Sequence, residues 1–197
     1  MKENNQLAKF SMNNHNDSER MRVSQREEIT CDNGKVVYMV KEGTLVDVKG
    51  DLSEILTLPE GIKKISGCSH CFTGVKEIVL PSSLEILGED CFAFCKKLES
   101  VRFNENLKKI EKRAFLKCSS LTCLDLNDGL IFIGESAFAN CENLMKIFIP
   151  SSVQKIAPHP FLSCVNLQIY CAVESKPKTW HRDWNEFDKP VKWSATR

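Results

Sequence analysis

A repeat of 23 residues is the strongest constraint on how this chain can fold. Phenylalanine recurs at this interval, and each time a cysteine follows three residues later and a leucine three residues after that. A fixed period of about 20–50 residues is typical of solenoids and related repeat architectures. The repeated strings are Phe92-Cys95-Leu98, Phe115-Cys118-Leu121, Phe138-Cys141-Leu144 and Phe161-Cys164-Leu167.

Each unit combines two short extended segments with a bend. In LESVRF, the alternation of Val101, Arg102 and Phe103 has the period of two that indicates a strand. A second apolar pair, three residues apart, predicts another short extended piece, and ESAFANC predicts a single helical turn with Ala and Phe pointing inward. One unit cannot bury both its strand side and its Phe side, whereas stacked units can. The sequence therefore predicts a repeat solenoid with a parallel β-sheet along one wall.

The repeated string LPSSLEILGEDCFAFCKKLESVRF resembles the BspA-like class of leucine-rich repeat, whose hallmark is a unit of this length containing Ala-Phe-x-x-Cys. The resemblance covers residues 52–171, or about five units. The segment IYCAVESKPKTWHRDWN also resembles the closing segment of bacterial members. The resemblance implies a curved, right-handed leucine-rich-repeat solenoid that binds other proteins, often at cell surfaces.

The two ends of the repeat array require caps, because terminal rungs would expose the core and unpaired strand edges. Residues 29–51 predict a β cap with two strands around Glu42 and Gly43, and residues 172–197 predict a second cap. Residues 1–28 are polar and evenly charged and predict a disordered tail. We expect the rings of the C-terminal cap to cover the last rung, with a carbohydrate- or peptide-binding platform as the alternative. These rings are Trp180, Trp184, Phe187 and Trp193.

Composition narrows the class of function. A net charge of +1 gives no long-range attraction for nucleic acid or anionic membranes. No apolar run approaches the roughly 20 residues of a membrane-spanning helix, and the N-terminal residues lack the apolar stretch of a secretory signal. With ten cysteines and no export signal, the sequence predicts a cytoplasmic protein, or a surface or secreted one if a signal is missing. No phosphate-binding loop or metal-carboxylate motif is present and the four histidines are scattered, so we expect neither an enzyme nor a cofactor.

The string CSHC allows an alternative class of protein. Cys68, His70 and Cys71, followed by Cys91 and Cys95, have a spacing similar to that of zinc sites, and Cys68 with Cys71 could also serve thiol-redox chemistry. The repeat register argues against the zinc site, because Cys91 takes the position of alanines in later units and Cys95 belongs to the Phe-x-x-Cys column. A zinc or thiol-redox protein that uses Cys68 and Cys71 remains the alternative from another class.

The cysteine column itself could be bridged or unpaired. Neighbouring rungs about 4.8 Å apart would allow disulfides. A column of equivalent thiols, however, gives each cysteine two equal neighbours and no preferred partner. We therefore expect buried thiols that fill the bend and donate a hydrogen bond to a turn carbonyl. Thiol chemistry would then be left to cysteines outside the column, Cys31, Cys123 and Cys171.

The outward side chains of the strands form the predicted binding surface. Since Val101 faces inward, Ser100 and Arg102 face outward, and the period extends this pattern to the other rungs. Aromatic and arginine side chains together are typical of interface hot spots. The predicted partner-binding residues are Glu77, Val79, Ser100, Arg102, Asp125, Met145, Lys146 and Phe148.

The sequence predicts a monomer that binds a protein partner through this wall. Adhesion to a host or matrix component is the alternative for an exported protein. We also expect Arg102 and Asp125, on adjacent rungs, to form an ion pair. A second outer strip is the rival binding surface, and it contains Glu85, Lys108, Lys109, Ile131 and Phe132.

Overall fold

The chain folds into a solenoid of short β-strands with very little helix. The computed structural model describes residues 26–31 and 35–197. The strands are β1 (Arg26–Cys31), β2 (Val36–Lys41), β3 (Thr44–Lys49), β4 (Ile55–Thr57), β5 (Lys64–Ile65), β6 (Glu77–Val79), β7 (Ile86–Leu87), β8 (Ser100–Arg102), β9 (Lys109–Ile110), β10 (Cys123–Asp125), β11 (Phe132–Ile133), β12 (Lys146–Ile149), β13 (Lys155–Ile156), β14 (Gln168–Cys171) and β15 (Val191–Lys192). Within this described part, the one assigned helix is a 3-10 helix at Ser69–Phe72.

The strands form three sheets on two sides of the solenoid. An eight-stranded sheet in the order β1-β2-β3-β5-β7-β9-β11-β13 runs along one side, and its strands from β3 onward are parallel. On the other side lie a three-stranded sheet, β4-β6-β8, and a four-stranded sheet, β10-β12-β14-β15. We call the outer face of these two smaller sheets the strand wall, with an N-terminal panel and a C-terminal panel. The parallel stacking predicted from the repeat is confirmed.

The strand wall is interrupted between β8 and β10, where the sequence predicted a continuous sheet. At this step Phe103 stands where the next rung has Leu126, and its ring packs edge-on against Phe115 at a centroid distance of 6.4 Å. Val101 remains partly exposed, whereas Leu124 in the next rung is buried. We attribute the break to the larger ring of Phe103.

The bend face, formed by the Phe-x-x-Cys segments, carries an unbroken stack of rings. Phe92, Phe115, Phe138 and Phe161 are all buried. Successive ring centroids lie 5.4, 5.3 and 5.8 Å apart, and Phe72 extends the stack to Phe92 at 5.1 Å. Each such pair contributes about 0.5–1.5 kcal/mol beyond the burial of its area. The stack is therefore a main source of stability along the solenoid.

The bends are successive turns, and among the described residues only the first bend, at Ser69–Phe72, contains an assigned helix. In one bend, the amide of Ala93 donates to the carbonyl of Asp90 at 3.3 Å, as in a 3-10 turn. Asp90 (φ 54°) and Phe94 (φ 64°) are left-handed, however, and a right-handed helix cannot continue through such residues. The reversal turns the amide of Phe94 toward the next rung, where Leu116 accepts it at 2.7 Å. The predicted inward orientation of the Ala and Phe side chains is confirmed.

The N-terminal cap contains an antiparallel hairpin. Strands β2 and β3 pair on either side of Glu42 and Gly43, as predicted, and both turn residues have positive φ, as tight hairpins require. A further strand, β1, pairs with β2 and begins at Arg26, three residues before the cap predicted from residue 29. The predicted tail at 1–28 otherwise lies outside the described residues.

The C-terminal cap covers the last rung with tryptophans. Trp180 and Trp184 are 2% and 4% exposed, and their ring centroids lie 4.9 Å apart. Trp193 completes the cluster at 6.3 and 5.9 Å from these two rings. Because Trp180 and Trp184 are buried, they provide no platform for a ligand. Phe187 was wrongly predicted to join them: it occupies a left-handed turn (φ 66°) and is 76% exposed.

Candidate binding surface

The N-terminal panel presents two outward columns in register. One column joins Val79 to Arg102, and the other joins Glu77 to Ser100. Arg102 is largely exposed, and its Nε donates to the Glu77 carboxylate at 2.7 Å. Ile55, at the start of the second column, is 64% exposed. Four of the predicted site residues therefore lie together on this panel.

The C-terminal panel carries a cluster of aromatic and cationic side chains. One outward column contains Asp125, Phe148 and Tyr170. The outward column beside it contains Lys146 and the residues paired with it. The ammonium groups of Lys146 and Lys192 lie 4.8 and 5.1 Å from the Tyr170 ring centroid. Met145, just before β12, is 55% exposed.

Tyr170 and Lys192 were not identified from the sequence. Tyr170 pairs with Phe148 in the sheet although the two residues are not one full repeat apart, because the last unit is one residue short. A one-residue deletion after Leu167, allowed in the repeat alignment, would have placed Tyr170 in the outward column.

The final residue of the sequence, Arg197, lies across the C-terminal panel. Its guanidinium is 4.7 Å from the ring centroid of Phe148 and contacts Asp125 at 2.7 Å and Asp128 at 2.8 Å. It also donates to the backbone carbonyl of Leu126. The amides of Ser194 and Ala195 bond to the carbonyls of Val173 and Cys171, both at 2.9 Å, which directs the segment over the wall.

Arg197 overturns two expectations. Phe148 points outward but is only 6% exposed, because the guanidinium covers its ring. The predicted ion pair of Arg102 with Asp125 is absent from the described residues, since Arg102 pairs with Glu77 within its own panel and Asp125 pairs with Arg197. The break between the panels separates the two predicted partners.

The rival strip belongs to the eight-stranded sheet. Its outward column is continuous and alternates basic with apolar side chains. Lys109 and Phe132 lie in this column, and Lys155 places its ammonium 5.9 Å from the Phe132 ring centroid. The other predicted members of the strip, Glu85, Lys108 and Ile131, directly precede these strands.

The cysteine column is structural, as the sequence predicts. The thiols of Cys118, Cys141 and Cys164 donate to carbonyls of the preceding bend at 3.1, 3.2 and 3.1 Å, and no disulfide is present in the described part of the chain. Burial raises the pKa of the Cys118 thiol well above its usual value and that of Cys95 to about 12. A raised pKa disfavours the thiolate, which is the nucleophilic form, so Cys95 and Cys118 are poor nucleophiles.

The two cysteines of CSHC have different surroundings. Cys68 is fully buried and donates to the carbonyl of Leu45 at 3.9 Å, and burial raises its pKa to about 12. Cys71 is partly exposed, and its sulfur lies 3.4 Å from Asp47 Oδ1 and 3.4 Å from His70 Nε2. Burial also raises the pKa of Cys71 to about 11. Neither thiol has the lowered pKa that redox exchange requires.

The chain belongs to the BspA-type leucine-rich-repeat family. The model of the BspA type leucine rich repeat region matches residues 49–168 in six copies, which is more than half of the sequence. About five units were expected from the sequence. Leucine-rich-repeat proteins generally mediate protein interactions and are not enzymes, which agrees with the non-catalytic character expected here.

Solved structures confirm the fold. A T. pallidum leucine rich repeat protein is 22% identical with a TM-score of 0.55, over 77% of this chain and 71% of that chain. A leucine rich cell surface protein from Faecalibacterium prausnitzii is 23% identical with a TM-score of 0.58, and the match covers 89% of this chain and 39% of that chain. The pneumococcal vaccine antigen PcpA is 21% identical with a TM-score of 0.64, and the match covers 82% of this chain and 41% of that chain. This chain thus spans less than half the length of the last two.

None of the curated proteins searched matches the chain. Among the described residues, no helix has both the length and the apolar character needed to cross a membrane.

Proposed function

We propose that the chain is a non-catalytic protein-binding module whose partner docks on the strand wall. The general role of leucine-rich repeats in protein interaction supports the class of function. The choice of surface rests on the side chains that the two panels present to solvent.

One observation carries the choice of surface: apolar and arginine side chains are exposed together on the strand wall. Five large apolar side chains are exposed among the described residues; Ile55 lies on this wall, and Met145 directly precedes β12, one of the strands of the wall. Arg102 stands between them and is 72% exposed. Exposed apolar groups with arginine are typical of binding sites. Because the backbone ladder fixes these side chains in register, docking orders few additional groups.

The eight residues predicted from the sequence have different parts in this proposal. The N-terminal panel, with Glu77, Val79, Ser100 and Arg102, is open to a partner. Asp125, Met145 and Lys146 extend the contact onto the C-terminal panel. Phe148 becomes available only if Arg197 leaves its ring, so it is a contact that a partner would have to uncover.

A pair of charge reversals tests the surface. Three immobilised proteins are each used to capture partners from an extract of the source: the unmodified chain, Arg102→Glu and the matched control Lys109→Glu. Both positions lie on strands and are exposed, but they belong to different sheets. We expect a prey protein that is lost with Arg102→Glu and retained with Lys109→Glu. The reverse pattern would assign binding to the rival strip, and identical prey for all three proteins would refute the proposal.

We infer that the module works in the cytoplasm. The support is the column of carbonyl-bonded thiols, Cys118, Cys141 and Cys164, which must stay reduced until folding buries them, as a reducing compartment favours. Host or matrix adhesion is the rival role, in keeping with the surface location named for the Faecalibacterium protein. Fractionation of the source cells tests the location: we expect the protein in the cytoplasmic fraction. Recovery of the protein on the cell surface or in the medium would contradict the inference.

A further inference from the structure

Asp47, His70 and Cys71 form a cluster that the repeat pattern does not explain. Asp47 lies on β3 of the N-terminal cap, and the other two lie on the 3-10 helix of the first rung. Their three donor atoms are within 4.8 Å of one another. Side chains of His70 and Asp47 are 69% and 43% exposed, so a solvated ion can reach them.

The three donor atoms form a nearly equilateral triangle. The edges measure 3.4 Å from Cys71 Sγ to Asp47 Oδ1, 3.4 Å from Cys71 Sγ to His70 Nε2, and 3.5 Å from His70 Nε2 to Asp47 Oδ1. Tetrahedral zinc, with bonds of about 2.3 Å to sulfur and about 2.0 Å to nitrogen and oxygen, requires edges of about 3.3–3.5 Å. The triangle therefore has the dimensions of one face of a zinc tetrahedron.

Stacking does not require a cysteine at position 71. The equivalent residues of the later rungs are partly or largely exposed and chemically unrelated, and all have positive φ: Phe94, Lys117, Asn140 and Ser163. In the first rung a 3-10 helix replaces this left-handed turn, which brings His70 and Cys71 against β3. A hydrogen bond from the Cys71 thiol to Asp47 would explain one short distance, and an ion pair between His70 and Asp47 would explain a second. A cation bound by all three side chains explains all three distances.

We propose that Asp47, His70 and Cys71 bind one zinc ion, with water in the fourth position, and that the ion connects the N-terminal cap to the first rung. Carboxylate, imidazole and thiolate are all zinc ligands, and three of them leave one coordination position open. On binding, the Cys71 thiol gives its proton to solvent and bonds as thiolate. The site differs from the CSHC interpretation, because Cys68, Cys91 and Cys95 remain buried and Asp47 takes part. It does not depend on the proposed protein-binding role.

Cobalt substitution tests the ligand set directly. Protein purified with a chelator is titrated with Co²⁺, which gives tetrahedral d–d bands and a thiolate-to-metal charge-transfer band when cysteine coordinates. We expect one ion per chain with both features, and displacement of the cobalt by zinc. Cys71→Ser should abolish the charge-transfer band, whereas the matched control Cys123→Ser, at an exposed cysteine on the strand wall, should retain it. Absence of the band in the unmodified chain, its persistence in Cys71→Ser, or its loss in Cys123→Ser would refute the site.

Affinity and thermal stability test the other ligands and the connection. His70→Gln and Asp47→Asn should each lower the affinity for zinc by at least the roughly 10–100-fold that follows the loss of an outer-sphere partner. Zinc should raise the melting temperature of the unmodified chain, because a ligand bound only by the folded state stabilises it, and should leave that of Cys71→Ser unchanged. An equal melting temperature of Cys71→Ser and the unmodified chain in the presence of a chelator shows that the variant folds. An equal zinc-induced shift in both proteins would contradict the proposal.

Discussion

The bend face and the strand wall are built from the same repeat but differ in regularity. On the bend face, rings and thiols keep one register from Phe92 to Phe161. On the strand wall, the sheet is interrupted after Arg102, and the second panel is covered in part by Arg197. Inward positions are set by identical neighbours above and below, whereas outward positions also depend on segments outside the repeat.

The difference should appear in the energetics of the two faces. The stacked rings and thiols of the bend face are buried, so each one removed leaves a cavity that the neighbouring rungs cannot fill. On the strand wall, ion pairs and ring contacts are partly solvated and contribute less. Substitutions of the same type on the two faces can therefore test the comparison.

The largest effect is expected from Phe115→Ala. Its ring stacks between Phe92 and Phe138 and is fully buried, so its removal should lower the free energy of unfolding by about 3–5 kcal/mol. Urea denaturation measures this loss. Phe94→Ala, which removes a half-exposed ring from the same face, is the control and should cost less than about 1 kcal/mol. A similar cost for both would show that the stack does not dominate stability.

A smaller loss is expected from Cys118→Ser. The hydroxyl can still donate to the carbonyl of Phe92, but it is more polar than the thiol, and burying it should cost about 1–3 kcal/mol. Cys123→Ser, exposed on the strand wall, should change stability by less than about 0.5 kcal/mol. Urea denaturation compares the two. Cys118→Ser should also capture the same partner as the unmodified chain; loss of that partner would give the column a part in binding.

The sequence predicts the inward half of the molecule well, because a period constrains residues that stack on their own copies. The positions of Phe115, Cys118 and Leu121 follow from the repeat alone, and all three are buried. The turn type of the bends does not follow, since Ala-Phe-x-x-Cys is equally compatible with a helical turn. Only the backbone shows that Phe94 and its equivalents are left-handed.

The surface could be predicted only in part, because contacts between distant segments have no period. The outward orientation of Phe148 follows from strand alternation, but Arg197 covers it from a segment outside the repeats. Asp47 likewise meets His70 and Cys71 through the docking of the cap on the first rung. No spacing within CSHC indicates an aspartate from another element.

An effect of about 1 kcal/mol is expected from Arg197→Ala. The substitution removes a cation–π contact with Phe148 and ion pairs with Asp125 and Asp128, all partly exposed. Urea denaturation at low and high salt should show a loss that shrinks as salt screens the ion pairs. Arg182→Ala is the control, since Arg182 is 88% exposed and pairs only with its neighbour Asp183 among the described residues. Equal effects for both would mean that the segment ending at Arg197 does not hold the C-terminal panel.

The smallest effect is expected from the ion pair between Asp90 and Arg113, which joins adjacent bends at 2.6 Å. Hydrogen bonds from Arg113 lower the pKa of Asp90 below its ordinary value of 3.8. The folded chain therefore favours the carboxylate, and this stabilisation is present at neutral pH and is lost as the pH falls below 3.8. Because both side chains are about one-third exposed, the contribution should stay below about 1 kcal/mol. Asp90→Asn, tolerated at a left-handed position, should be less stable than the unmodified chain at neutral pH and equally stable in acid. A difference in unfolding free energy that does not change with pH would place the role of Asp90 in the turn rather than in the ion pair.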